Sequence, residues 1–96
     1  MSAIGVIAIL RVQPGKEAEF EGVFAELATA VNANEAGNSY YKLFRTTETG
    51  VYKVLECYDD QTALDAHRAS DHFRSIGARL GPCLAGAPEI ETLSAT

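Results

Sequence analysis

Two histidines, the only two of the chain, lie five residues apart in the segment LDAHRASDHFR, at positions 67 and 72. On a continuous α-helix each residue turns by about 100°, so side chains five apart point about 140° away from each other. That spacing disfavours joint binding of a metal ion, because helical metal motifs place their ligands three or four residues apart. We therefore expect no metal site. Acid–base chemistry and an ordinary pair, one packed and one exposed, both stay open.

A helix break between the histidines would change their electrostatics. Ser70 and Asp71 have the character of an N-cap, so a first helix is predicted to end before Ser70 and a second to begin at His72. His67 would then lie at a helix C-terminus, which favours the cation, and His72 at an N-terminus, which favours the neutral ring. On a continuous helix Asp71 would instead lie about 40° from His67 and could orient it.

Glu56 is the third candidate, because it is a carboxylate within the otherwise apolar strand VYKVLECY. It shares its face of the strand with Tyr52, Val54 and Tyr58. A carboxylate in such surroundings must be paired, hydrogen-bonded or have a raised pKa. A structural ion pair with an arginine and a functional acid–base role are both compatible with this position.

The elements around these residues predict the order β-α-β-β-α-β. The order is typical of an α+β, ferredoxin-like domain, an antiparallel sheet with helices on one face, and we expect a single domain over residues 1–96. Strands are predicted over 3–12, 39–46, 51–58 and 88–93. Three helices are predicted: one over 16–33, one that follows the Asp59-Asp60 cap and runs toward Ala69, and one over 72–80.

The first strand is apolar on both faces, with Val6 and Ala8 on one and Ile7 and Ile9 on the other. A half-exposed antiparallel strand should alternate with polar residues. Helices of the same chain can cover only one face of the sheet. We therefore expect a homodimer, a dimeric α/β-barrel in which two sheets pack face to face.

Composition excludes several classes of function. The net charge is −5 and the eight basic residues are scattered, which argues against nucleic-acid binding. No apolar stretch reaches the roughly 20 residues that a bilayer span needs, and the apolar N-terminus lacks the basic leader of a signal peptide. We expect a cytoplasmic protein that does not bind membranes, with Cys57 and Cys83 as free thiols.

Five segments in order resemble the antibiotic biosynthesis monooxygenase family, in its small quinol monooxygenase-like branch. They cover nearly the whole chain: RVQPGKEAEFEGVFAELA, NEAGNSYYKLFR, VLECYDD, LDAHRASDHFR and AGAPEIETL. The resemblance implies the same dimeric fold. It also implies oxidation of a small phenolic, quinol or polyketide-type aromatic by O2, with no cofactor, neither metal nor flavin.

The resemblance also implies a set of site residues. Glu56, His67 and His72 occupy the family's polar, catalytic positions, with a histidine as the base and Glu56 orienting or tuning it. Tyr41, Tyr58 and Phe73 occupy its aromatic, substrate-binding positions. Tyr58 stands where many relatives have Trp, which leaves the shape of the substrate open.

Two other functions remain open. A branch of the family that isomerises a phosphorylated dione is similar around both histidines, and for it a cationic anchor is available in Arg45, Arg68 or Arg74. A dimeric small-molecule binding protein without activity is the third possibility. Haem degradation is disfavoured, because Ala8, Tyr58 and Gly77 stand at the positions where that branch has its Asn, Trp and His ligand.

Overall fold

The computed structural model describes residues 2–96 and contains a four-stranded antiparallel sheet with its helices on one face. This confirms the predicted α+β, ferredoxin-like architecture. The sheet order is β2-β3-β1-β4. The elements are β1 (Ile4–Arg11), α1 (Glu17–Asn34), β2 (Asn38–Arg45), β3 (Val51–Tyr58), α2 (Gln61–Ala69), α3 (Asp71–Leu80), a short 3-10 helix (Gly81–Cys83) and β4 (Glu89–Ser94).

The core lies between α1 and the helix-facing side of the sheet. Alternation along β1 buries Val6, Ala8 and Leu10 under the helices, as the period of two requires. The apolar stripe of α1 recurs at three- and four-residue steps and packs onto these strands. Its buried members are Phe20, Val23, Phe24, Leu27 and Val31.

Ser70 separates α2 from α3. Its backbone is extended, with φ −69° and ψ 150°, so the helix cannot continue through it. Its hydroxyl donates to the carbonyl of His67 at 2.7 Å and accepts from the N–H of Phe73 at 3.2 Å. One residue thus ends α2 and caps α3, as predicted, and the chain changes direction between the two histidines.

The loop before β2 packs tightly against the first turn of α2. A Cβ atom added at Gly37 would lie 2.6 Å from the Cβ of Ala63, closer than such atoms can approach. The carbonyl of Gly37 also accepts the N–H of Asp59 at 2.8 Å. Glycine is therefore required for this close approach, which brings the end of α1 next to α2.

No residue between positions 2 and 96 covers the face of the sheet opposite the helices. Tyr40, Phe44 and Leu93 expose 38–44% of their surface on it, and Ile7 and Ile9 lie between them on β1. Lys42, Lys53, Glu89 and Glu91 lie on the same face, so its exposed apolar side chains form a patch with charged residues beside it. Such a patch is typical of a surface that packs against another protein.

Two predictions about the chain's chemistry can be compared directly with the structure. Cys57 and Cys83 are both free thiols, as expected. Among residues 2–96, no helix is long and apolar enough to cross a membrane.

Candidate active site

A cavity of about 680 Å³ lies between the helix-facing side of the sheet and helices α2 and α3. This volume is in the range of small-molecule sites. Most of its wall is apolar, and four of the six predicted site residues contribute to it: Tyr41, Glu56, His67 and Phe73.

His67 lies in the wall with its ring between three aromatic side chains. The ring centroid is 5.3 Å from that of Tyr41, 5.3 Å from that of Tyr58 and 4.6 Å from that of Phe73. Only 3% of the residue is exposed. Packing of this kind holds the imidazole in one orientation.

The carboxylate of Glu35 accepts a hydrogen bond from Nδ1 of this ring. Nδ1 of His67 lies 2.9 Å and 3.0 Å from the two oxygens of Glu35. A neutral ring that donates its Nδ1–H to a carboxylate has its lone pair on Nε2. The hydrogen bond therefore assigns Nδ1–H as the donor and Nε2 as the acceptor.

The free nitrogen of His67 is accessible from the cavity. Among the non-exposed residues of 2–96, every side-chain nitrogen or oxygen that solvent cannot reach has a hydrogen-bond partner. Nε2 of His67 makes no hydrogen bond to any of these residues, so solvent must reach it, and the cavity is the space that the ring lines. The site therefore presents an unprotonated imidazole nitrogen to a bound molecule.

Burial lowers the pKa of His67 below its ordinary value, although the hydrogen bond that its Nδ1–H donates to Glu35 opposes the shift. Burial thus disfavours the cation that we expected at the C-terminal end of α2. At neutral pH the ring is neutral and can accept a proton.

Glu35 is the functional residue that the sequence analysis missed. Its carboxylate also accepts from Nε2 of His72, at 2.5 Å, so both histidines meet at one acidic group. Two expectations applied only to a continuous helix, and the break at Ser70 removes both. The histidines do not point apart, because α3 begins in a new direction at Ser70. The side chain of Asp71 is fully exposed and accepts from Arg74 at 2.9 Å, so it does not orient His67.

Glu56 lies in the cavity wall but makes no hydrogen bond to either histidine, so its predicted role in orienting one is not supported. Its carboxylate accepts the hydroxyl of Tyr58 at 2.6 Å. Burial raises the pKa of Glu56 to about 7, although this hydrogen bond and the charge of Arg68 oppose the shift. Glu56 can therefore either donate or accept a proton near neutral pH.

The remaining predicted residues divide into those that line the cavity and those behind its wall. Tyr41 lines it, stacked on Phe24 at 5.4 Å, and its hydroxyl makes no hydrogen bond. Burial raises the pKa of Tyr41, so the hydroxyl stays protonated and can donate. Tyr58 is fully buried behind Glu56, and His72 lines a second pocket of about 200 Å³ that it shares with Glu35.

Two arginines add positive charge to an otherwise apolar wall. Arg68 and Arg74 both line the cavity from the helix side. The site thus combines a neutral imidazole acceptor, a phenol donor, a carboxyl group that titrates near pH 7 and a cationic rim. Such a set can remove a proton from a bound molecule and stabilise the negative charge that develops on it.

Comparisons of sequence and of structure with known proteins point to one family. The family model for antibiotic biosynthesis monooxygenases matches residues 3–79. A crystal structure titled a "putative antibiotic biosynthesis monooxygenase" from Caulobacter crescentus is 54% identical, with a TM-score of 0.96 over 99% of this chain and 91% of that one. A conserved protein from Methanosarcina mazei is 32% identical, with a TM-score of 0.90 over 97% and 92% of the two chains. YcnE of Bacillus subtilis, named a "putative monooxygenase", is 33% identical over 84% of each chain.

Proposed function

Because this chain belongs to the antibiotic biosynthesis monooxygenase family, we propose that it oxidises a small phenolic, quinol or polyketide-type aromatic with O2, without a cofactor. The observation that carries the proposal is the accessible Nε2 of His67, a neutral base at the wall of an apolar cavity. The expected cytoplasmic location, where thiols stay reduced, agrees with the two free cysteines.

The first step is removal of a proton from the substrate. Nε2 of His67 accepts the proton of an acidic phenol or of a carbon activated by neighbouring rings. Tyr41 donates its hydroxyl to the oxyanion that results, in a cavity whose wall is mostly apolar. Glu35 holds Nδ1–H and stabilises the imidazolium that forms.

The second step is transfer of electrons from the deprotonated substrate to O2. For a methylene group between aromatic rings, the carbanion forms a new C–O bond with O2 and gives a peroxide anion, which takes a proton and becomes a hydroperoxide. Loss of water from the hydroperoxide then leaves a carbonyl. One oxygen atom ends in the product and the other in water, and the substrate supplies all four electrons. Glu56, protonated in part of the molecules at neutral pH, donates a proton to the departing hydroxide.

The proposal is tested by oxygen consumption of chelator-treated protein with a panel of quinols and anthrones. We expect one O2 consumed per substrate oxidised, no accumulation of peroxide, and no turnover under nitrogen. Absence of oxygen uptake across the panel, with substrates shown to bind, would contradict the proposed function.

The positively charged rim favours one alternative reaction. Arg68 and Arg74 could anchor a phosphate, while His67 moves a proton within a small phosphorylated dione. That isomerisation needs no O2, so solvent hydrogen exchange into a dione under nitrogen would support it. Binding without either reaction would identify a non-enzymatic binding protein.

We further propose that the protein is a homodimer joined through the uncovered sheet face. Leu93 lies on that face at 42% exposure, beside Gly5, whereas its neighbour Thr92 points to the helix side. Leu93→Asp should raise the dimer dissociation constant about tenfold or more, because a charge would be buried in an apolar interface. Thr92→Asp on the same strand is the matched control. Sedimentation equilibrium measures both, and a monomeric wild-type protein would contradict the proposal.

A further inference from the structure

Glu35, His67 and His72 form a cluster of one carboxylate and two imidazoles, and of these three the reaction proposed above uses only Glu35 and His67. One oxygen of the carboxylate and one nitrogen of each imidazole lie within 4.8 Å of one another. They come from three separate places in the chain: the residue that follows α1, the last turn of α2 and the first turn of α3. We propose that these three side chains bind one divalent transition-metal ion such as Zn²⁺.

The donor set suits such an ion. Two imidazole nitrogens and a carboxylate oxygen are ligands that Zn²⁺, Co²⁺ and Fe²⁺ accept, with a further position left for water. In the structure the oxygens of Glu35 lie 2.5–3.0 Å from the two nitrogens. Around a tetrahedral ion that lies about 2.1 Å from each donor atom, neighbouring donor atoms are roughly 3.4 Å apart. The carboxylate oxygen therefore needs to move away from each nitrogen by less than about 1 Å, and the two nitrogens, at most 4.8 Å apart, need to approach by no more than about 1.4 Å.

The cluster has its own route to solvent, separate from the larger cavity. Glu35, Ser70 and His72 line the second pocket, of about 200 Å³. The side chains of Glu35 and His72 are only 9% and 16% exposed, so an ion there would be largely shielded from bulk water. The pocket provides access and room for a water ligand.

Metal binding would change the chemistry of the larger cavity without blocking it. An ion on Nδ1 of His67 needs the lone pair of that nitrogen, so the single proton of the neutral ring must lie on Nε2. Nε2 is the nitrogen that the cavity reaches. The ion would therefore convert a proton acceptor into an N–H donor and inhibit the reaction. This consequence, unlike the binding itself, rests on the proposed function.

Binding is tested first, with no activity measurement. Chelator-treated protein is titrated with Co²⁺, whose visible absorption reports a site of four or five ligands, and with Zn²⁺ in competition with a chromophoric chelator. We expect one ion per chain and at least about tenfold weaker binding after Glu35→Gln or His72→Gln. Asp71→Asn, which removes a neighbouring exposed carboxylate, is the control and should bind as the wild type does. Absence of a bound ion, or unchanged binding in both ligand variants, would overturn the proposal.

The switch at His67 is tested by long-range ¹H–¹⁵N NMR of the imidazoles. The proton of His67 should be on Nδ1 in the metal-free protein and on Nε2 after addition of Zn²⁺. A proton that stays on Nδ1 would rule out the proposed ligation. If activity is found, Zn²⁺ should inhibit the wild-type protein. The rate of each ligand variant is compared with the rate of the same variant without metal. Each variant should need at least about tenfold more Zn²⁺ than wild type for the same fractional inhibition. If no activity is found, the Co²⁺ and NMR results still decide the metal site.

Discussion

Replacement of His67 by alanine should lower kcat by about 10²- to 10⁴-fold, the usual contribution of a general base. The loss should fall on kcat more than on KM, because the apolar wall that holds the substrate remains. Steady-state kinetics on chelator-treated protein measures both constants. Added imidazole should restore part of the rate, since the deleted ring leaves a space beside the cavity.

Two controls separate catalysis from folding in this experiment. Thermal unfolding shows whether His67→Ala keeps its structure, and rescue by imidazole cannot occur in an unfolded chain. Glu35→Gln tests the positioning role. Since Glu35 raises the pKa of His67, its loss should move the rising limb of the kcat–pH profile to lower pH, besides reducing the rate. Full activity of His67→Ala would show that the base lies elsewhere.

Replacement of Glu56 by glutamine should stabilise the protein above pH 7. Each pKa unit corresponds to about 1.4 kcal/mol, so a shift from 4.5 to about 7 corresponds to at most roughly 3 kcal/mol. The folded protein binds this proton more tightly than the unfolded chain does. The free energy of unfolding therefore falls as the pH rises from about 4.5 to about 7, and the loss is complete above that range.

Glutamine removes this loss because its amide carries no charge, while its oxygen can still accept the hydroxyl of Tyr58. Urea unfolding at pH 8 should show Glu56→Gln to be more stable than wild type, and the gap should close toward pH 4. Glu48→Gln, at an exposed turn, should show no such pH-dependent gap. An equal pH dependence in wild type and Glu56→Gln would mean that Glu56 is charged in the folded protein throughout.

The elements of this fold could be predicted from the sequence because their signals are local. The stripe of α1, the two-sided apolar character of β1 and the cap at Ser70 each lie within a few residues. The position of Glu56 on the helix-facing side of β3 likewise follows from alternation along one strand.

The partner of the histidines could not be predicted in this way. Glu35 is 32 positions from His67 along the chain, in a loop with no periodicity. Their contact depends on how closely that loop packs against α2, which the approach of Gly37 to Ala63 determines. The direction of α3 after Ser70 likewise depends on tertiary packing. The only sequence signal for this contact was that the residue directly after α1, Glu35, is acidic.

Helix α3 forms part of the cavity wall, yet none of its residues is fully buried. A helix that packs on the core only through partly buried residues opens at a lower free-energy cost than α1, whose apolar stripe lies in the core. Its amide hydrogens should therefore exchange with solvent sooner than those of α1. Brief local opening of α3 would widen the entrance to the cavity for a flat molecule, while the sheet below stays intact. The rate of product release would then depend on the stability of one short helix.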